Sequence, residues 1–121
     1  MIGGGQLARM MQEEASALGI RLRALVEAAD GSTGQVTPDA PVGAADDEVA
    51  VRAVVAGDGT QGLGGEPAAV LTFEHEHVPD PVLRQASSRV SVQPPADALR
   101  YAQDKLAMRE RLGAMGVPCP A

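Results

Sequence analysis

Two stretches of this 121-residue chain carry residue types whose spacing supports chemistry. The first is Gly3-Gly4-Gly5-Gln6, which follows Ile2 and opens directly into a helical pattern. Glycines at such a strand–turn–helix junction let backbone N–H groups approach an anion. The helix N-terminus adds roughly half a positive charge. Gly3-x-Gly5-x-x-Ala8 also satisfies the dinucleotide-binding fingerprint, with Glu27 at a suitable distance to meet a ribose hydroxyl. The bland reading of Glu27 is a solvated acid at a strand end.

The second stretch is Glu74-His75-Glu76-His77, at the end of an apolar run. If strand geometry persists, alternation places Glu74 and Glu76 on one side and His75 and His77 on the other. Paired carboxylates suit the vicinal hydroxyls of a ribose, because each oxygen accepts a hydrogen bond. His75-x-His77 supplies two imidazoles for a metal but no evident third ligand, so no metal site is expected. General acid–base work by either His is the sharper alternative. The preferred reading of both is a packed or hydrogen-bonded crevice wall.

Elements of an open α/β domain must position these stretches. Gln6–Leu18 reads as a helix, with Leu7, Met10, Met11, Ala15 and Leu18 on its apolar face and Gly19 ending it. Residues 20–27 read as the second strand, with Ile20, Leu22, Ala24 and Val26 alternating against Arg21, Arg23 and Leu25. Residues 28–39 read as loop, and 42–45 as a short third strand. Asp46 or Asp47 caps a helix to about Ala56 that turns Val51, Val54 and Val55 inward. Residues 57–66, with five glycines, read as a surface loop and lack the ending of a P-loop. Residues 68–73 read as a buried parallel strand.

Asp80 is the expected N-cap of the next helix, with Pro81 at N1. Val90 and Val92 mark a last strand, ended by Pro94-Pro95. A short helix over 96–102 and another from Asp104 to about Met115 follow, the latter with a Met108, Leu112, Met115 stripe. This alternation predicts a doubly wound parallel sheet with helices on both faces. Right-handed crossovers gather the strand carboxyl ends, so the glycine turn, Glu27 and residues 74–77 share one edge, where a ligand crevice belongs. Only Met1 and Ile2 precede the glycines, so the first strand reads as truncated.

Composition narrows the function classes. At 45% hydrophobic and 21% charged the chain is globular. With one Phe, one Tyr and no Trp, its core must be aliphatic. A net charge of −6 argues against non-specific nucleic-acid or membrane-surface binding. No membrane span or secretory signal is visible, so the cytoplasm is the expected location. The lone Cys119 sits between prolines with no activating motif and reads as a bystander.

Four stretches together resemble one family. Gly3-Gly4-Gly5-Gln6-Leu7-Ala8-Arg9-Met10 is similar to the Gly-x-Gly-Gln-Leu opening of 5-(carboxyamino)imidazole ribonucleotide synthase, an ATP-grasp enzyme of purine biosynthesis. Thr72-Phe73-Glu74-His75-Glu76-His77-Val78-Pro79 resembles its Thr-aromatic-Glu-x-Glu-x-Val segment. Ala98-Leu99-Arg100-Tyr101-Ala102-Gln103-Asp104-Lys105 resembles its Ala-Leu-x-x-x-Gln segment. Leu112-Gly113-Ala114-Met115-Gly116-Val117-Pro118 resembles the lead into the ATP-grasp region.

The resemblance implies a Rossmann-like pre-ATP-grasp substrate domain over 1–102, then a helix and linker over 103–121 leading into an ATP-grasp region not in this chain. It implies a ligase that uses ATP and Mg²⁺ to carboxylate aminoimidazole ribonucleotide with bicarbonate. Gly5, Gln6, Leu7, Glu74 and Glu76 would then meet the ribonucleotide. Arg100 and Lys105 would meet ATP. No catalytic or metal-ligating residue is expected here, and the chain alone is expected to be inactive. The full protein would act in the cytoplasm, with a homodimer as one expectation. The alternative is an NAD-binding domain using Gly3, Gly5, Ala8 and Glu27; a third reading is a remnant that only binds a sugar phosphate. A related ligase for glycinamide ribonucleotide ranks lower, because its motif prefers Glu where Gln6 stands.

Overall fold

The computed structural model describes residues 1–57 and 65–120. Among the described residues five extended segments pair in parallel. Ile2 bridges Leu25 on one side and Phe73 on the other. Arg23 bridges Asp39, and Val26 bridges Val42. β1 (Val70–Leu71) pairs with β2 (Ser91–Val92). In chain order the segments therefore lie 3-2-1-4-5, with residues 1–3 at the centre. This is the expected doubly wound parallel sheet, with very short strands. The few residues of the central segment bond to both neighbours. Ile2 N–H donates to Thr72 O at 2.8 Å and Gly3 N–H to Leu25 O at 3.0 Å. Leu25 N–H donates to Met1 O, and Glu74 N–H to Ile2 O.

The helices are α1 (Gln6–Leu18), α2 (Glu48–Ala56), α3 (Asp80–Ser87), α4 (Ala96–Gln103) and α5 (Lys105–Ala114). Among the described residues no helix is long and apolar enough to cross a membrane. Successive strand residues face opposite sides, and the core divides accordingly. Ile2, Leu25 and Leu71 pack with Val51, Val54 and Val55 of α2 and Val82, Leu83 and Ala86 of α3. Met1, Ala24 and Val26 form a smaller core with Ala8 of α1.

α1 has the bounds read from the sequence, and Gly19 closes it in the left-handed conformation at φ 70°. Its buried face differs from the expected one. Ala8 and Ala15 are buried, whereas Leu7, Met10, Met11 and Leu18 are exposed, Leu18 to 70%. The glycine turn brings the helix too close to the sheet for long side chains. A Cβ on Gly4 would lie 2.9 Å from the Cβ of Val26. Only alanine fits at that approach, so the bulkier apolar residues fall on the outer side.

Other boundaries shift for local reasons. Pairing of the second strand covers only 23–26; Ile20 is 58% exposed, and Ala24, Leu25 and Val26 are all buried because both faces are covered there. The third strand pairs at 39–42 rather than 42–45, since Arg23 and Val26 select Asp39 and Val42 as partners. Asp47, not Asp46, caps α2, accepting from Val49 and Ala50 N–H. Pro79, not Asp80, is the N-cap residue of α3. The Asp80 carboxylate instead pairs with Arg84 at 2.6 Å, and Arg84 also reaches Asp97 at 2.8 Å, joining α3 to α4.

In the fourth strand Leu71 is buried, but Val70 faces the thinly covered side and is 52% exposed. α4 extends one residue further than expected, to Gln103. Asp104 caps α5 as expected, accepting from Ala107 N–H at 3.0 Å. Of the expected α5 stripe, Met108 and Leu112 are half-buried and Met115 is exposed; Ala107 is the buried residue. The expected loop over 57–66 lies largely outside the described residues.

A partly buried guanidinium ties the second strand to its neighbours. Arg23 pairs with Asp39 at 2.8 Å and donates to Val54 O at 2.8 Å. Beside it, the Met1 amine donates to Arg23 O at 2.6 Å. Burial, with the Arg23 charge second, pushes that amine down from 8.0 to about 6. The folded state disfavours the charged amine, so the unfolded chain holds more protons between those values. In a polypeptide whose Met1 amine is free, stability should therefore rise with pH from about 6 to 8 and level off above, by a few kcal/mol at most, roughly 1.4 kcal/mol for each pH unit of the drop.

Urea unfolding of a polypeptide with a free amine on Met1 should show this rise. A version with a few apolar residues placed before Met1 should not; equal slopes would refute the assignment. On α1, Met10→Lys or Leu18→Lys should change stability by less than about 0.5 kcal/mol. Ala8→Leu should cost about 1–3 kcal/mol by overpacking. The reverse order in thermal melts would restore the Leu/Met stripe as the buried face.

Candidate functional site

The site forms because the first and fourth strands are neighbours. Their carboxyl ends bring the glycine turn and Glu74 together, although 69 residues separate Gly5 from Glu74. Strand pairing ends at Phe73, and 74–78 continue as bends and turns. The expected alternation of Glu and His across a strand therefore does not hold beyond that point. The Glu74 carboxylate turns onto the N-terminus of α1. Its Oε1 accepts from Gly5 N–H at 2.6 Å and its Oε2 from Ala8 N–H at 2.8 Å. Charge-assisted bonds of this kind are stronger than neutral ones, and the helix end favours a negative group.

The glycines make this contact possible. Gly3 has φ +113°, a region side chains rarely adopt, and a Cβ there would overlap the Glu74 side chain. Gly5 has an ordinary φ of −83°. A Cβ on it would nonetheless sit 2.7 Å from Glu74 Oε1. The fingerprint spacing thus reflects a close approach by the protein's own carboxylate. Ala8, at the third small position, is buried against Val26 and Ala24 as the pattern requires.

The segment at 31–34 covers the turn from the other side. Thr33 is fully buried; its Oγ1 donates to Gly5 O at 2.8 Å and its N–H to Gly4 O at 3.0 Å. Ser32 Oγ donates to Gln6 Oε1 at 3.0 Å, and Arg9 Nη1 donates to Ser32 O at 3.2 Å. By sequence alone these residues read only as loop. The available signal was a hydroxyl pair between glycines, Gly31-Ser32-Thr33-Gly34.

Glu76 is exposed, and its backbone is held from α4. Gln103 Nε2 donates to Glu76 O at 2.7 Å and to Val78 O at 3.0 Å. Gln103 belonged to a recognised motif but carried no expected role. His75 Nδ1 accepts from His77 N–H at 3.2 Å, so the imidazole braces its own turn. Glu76 Oε1 lies 3.9 Å from His77 Nε2.

Of the expected site residues, Gly5 and Glu74 are bonded directly, Gln6 follows Gly5 with its side chain bonded to Ser32, and Leu7 comes next with its side chain 60% exposed. Arg100 and Lys105 are exposed on α4 and α5. Their side chains make no ion pair with the turn or with Glu74 and Glu76 among the described residues. Glu27 is exposed at a bend beyond the second strand.

Residues 1–103 match the family model of the ribonucleotide synthetase preATP-grasp domain. The N5-carboxyaminoimidazole ribonucleotide synthase of Mycobacterium bovis is 49% identical over 99% of this chain and 26% of its own length. The crystal structure of the synthetase from Thermus thermophilus superposes with a TM-score of 0.80 at 34% identity, over 99% of this chain and 31% of that one. The Aspergillus clavatus synthase, crystallised with ADP and 5-aminoimidazole ribonucleotide, gives 0.81 at 29% identity, over 99% and 30%. The chain thus spans about a quarter of the curated relatives' length. Nothing in the fold or in these relatives favours the dinucleotide alternative. A parallel sheet ordered 3-2-1-4-5, a glycine turn closed by Glu74, and a family match over residues 1–103 make this chain a member of the ribonucleotide synthetase preATP-grasp domain family.

Proposed function

We propose that this chain is the ribonucleotide-side part of an ATP-dependent ligase that carboxylates aminoimidazole ribonucleotide with bicarbonate. The observation that carries the reading is its similarity, over 99% of its length, to a synthase crystallised with ADP and that ribonucleotide. In this reading the first turn of α1 serves the substrate. The N–H groups of Gln6 and Leu7 adjoin those of Gly5 and Ala8, which Glu74 occupies. They and the Gln6 carboxamide would serve the phosphate. Glu74, fixed by two N–H donors, keeps further acceptor capacity on each oxygen for a ribose hydroxyl, with Glu76 as its companion.

Arg100 and Lys105 would meet ATP phosphate from the α4–α5 junction, the planar guanidinium being the stronger partner. Mg²⁺ and the adenine base would be held mainly by the region that follows in the longer relatives. The chain alone would then bind ribonucleotide without turning it over. The complete protein would work in the cytoplasm, and a homodimer is its proposed assembly.

Titration calorimetry of the chain should show saturable binding of aminoimidazole ribonucleotide and none of NAD. Gln6→Ala should weaken the former about five- to tenfold, the worth of one hydrogen bond. Saturable NAD binding without ribonucleotide binding would sink the proposal. Joined in frame to the remaining region of the Mycobacterium bovis relative, the chain should support ribonucleotide-dependent ADP release. In that fusion Arg100→Ala should lower kcat/KM about 30-fold, equivalent to ~2 kcal/mol.

A further inference from the structure

The glycine turn carries two features that would oppose an incoming anionic or acceptor group, and the 31–34 segment answers both. The first is the pair of carbonyl oxygens of Gly4 and Gly5, which border the first turn of α1. Both accept hydrogen bonds from the fully buried Thr33, one through its N–H and one through its hydroxyl. Their negative ends are thereby taken up inside the protein. The second is the ambiguity of a primary amide. The Gln6 side chain has an acceptor end and a donor end of nearly the same shape, and on an exposed helix start either could face a ligand. Ser32 Oγ donates to the Gln6 oxygen, which commits that end to the protein.

The Ser32 backbone is in turn held by Arg9, one turn along the same helix. Further N–H bonds brace the segment: Gly31 to Ala28 O, Gln35 to Gly31 O, and Thr37 to Thr33 O. Ser32 is therefore presented from a rigid loop.

We infer that Ser32 is a positioning residue: it orients the Gln6 carboxamide so that Nε2 donates to the bound molecule, and Gln6 thereby selects an acceptor oxygen. This rests on the ribonucleotide reading above and deepens it. A phosphate oxygen satisfies an N–H donor, whereas an ammonium or amide N–H at that point does not. Thr33 completes the arrangement by holding the turn's carbonyls. The same logic separates Gln from Glu at position 6. A carboxylate there would face Ser32 equally well but would offer the ligand only acceptors and a negative charge.

The test has a ligand-free arm and a binding arm, both on the full 121-residue chain. Without ligand, the two Nε2 protons of Gln6 should give separate, slowly exchanging resonances in a ¹⁵N NMR spectrum. Ser32→Ala should narrow their separation, and Ser32→Thr should restore it. With aminoimidazole ribonucleotide as the probe, Ser32→Ala should weaken binding about fivefold. Its midpoint of thermal unfolding should stay within about 2 °C of the parent. Ser32→Thr should recover binding to within about twofold, and Gln6→Glu should weaken it at least as much as Gln6→Ala.

Unchanged Gln6 resonances in Ser32→Ala, equal weakness of Ser32→Ala and Ser32→Thr, or tight binding by Gln6→Glu would each overturn the inference. If the parent chain binds no ribonucleotide, the function proposed above fails, while the ligand-free arm still decides whether Ser32 orients Gln6.

Discussion

The Glu74 carboxylate on the first turn of α1 is the contact on which the arrangement of this domain depends. It joins the end of the fourth strand to the start of the first helix through Gly5 and Ala8 N–H. It satisfies two of the four N–H groups that any helix leaves without an internal partner. It also explains why the turn is built of glycine. Gly3 and Gly5 leave the volume that the Glu74 side chain fills, and Gly4 leaves the volume that Val26 fills. Once the helix is drawn that close, alanines at 8 and 15 become its buried face and the longer apolar residues turn outward. The carboxylate at the turn and the close approach of Gly4 to Val26 thus go together with the alanine face of α1 and the smaller core.

Much of this was legible in the residues, and the exceptions have a common cause. The bounds of α1, the capping of α2 by one of Asp46 and Asp47 and of α5 by Asp104, and the parallel alternation follow from local signals: a glycine stop, an acid before an apolar run, a period of 3.6 or 2. The buried face of α1 departs from its periodicity, which ranks residues by size and polarity. The sheet beneath this helix selects instead for closeness. The start of the third strand was missed because pairing is decided by the neighbour: Arg23 seizes Asp39, an acid that reads as loop. Thr33 and Gln103 were passed over for a related reason. Their bonds are made to backbone carbonyls remote in sequence, and no short-range pattern records such contacts.

At the site, the structure joins Glu74 to the glycine turn and leaves Arg100 and Lys105 apart from it on α4 and α5. Glu74 was expected to wait for a ribose; it is also the internal anion of the glycine turn. Gln6 stands out in the sequence by its position after the glycines, and in the structure its amide oxygen accepts from Ser32 Oγ. Gln103 links the 74–78 turn to α4, and hence to the α5 start that bears Lys105. The two halves of the proposed site, ribonucleotide-side and ATP-side, are therefore mechanically joined through one amide. The family match ends at the same residue.

The central claim is that Gly3 and Gly5 are glycine because the Glu74 side chain fills the space beside them. A double-mutant cycle between Gly5→Ala and Glu74→Ala, read by urea unfolding, tests it most directly, because Gly5 has an ordinary φ and its substitution costs nothing in backbone strain. Alone, Gly5→Ala should destabilise the chain by about 1–3 kcal/mol through overlap with the carboxylate. In the Glu74→Ala background that cost should largely vanish, leaving a coupling of about 1 kcal/mol or more. Additive costs, with Gly5→Ala equally damaging when Glu74 is gone, would contradict the account.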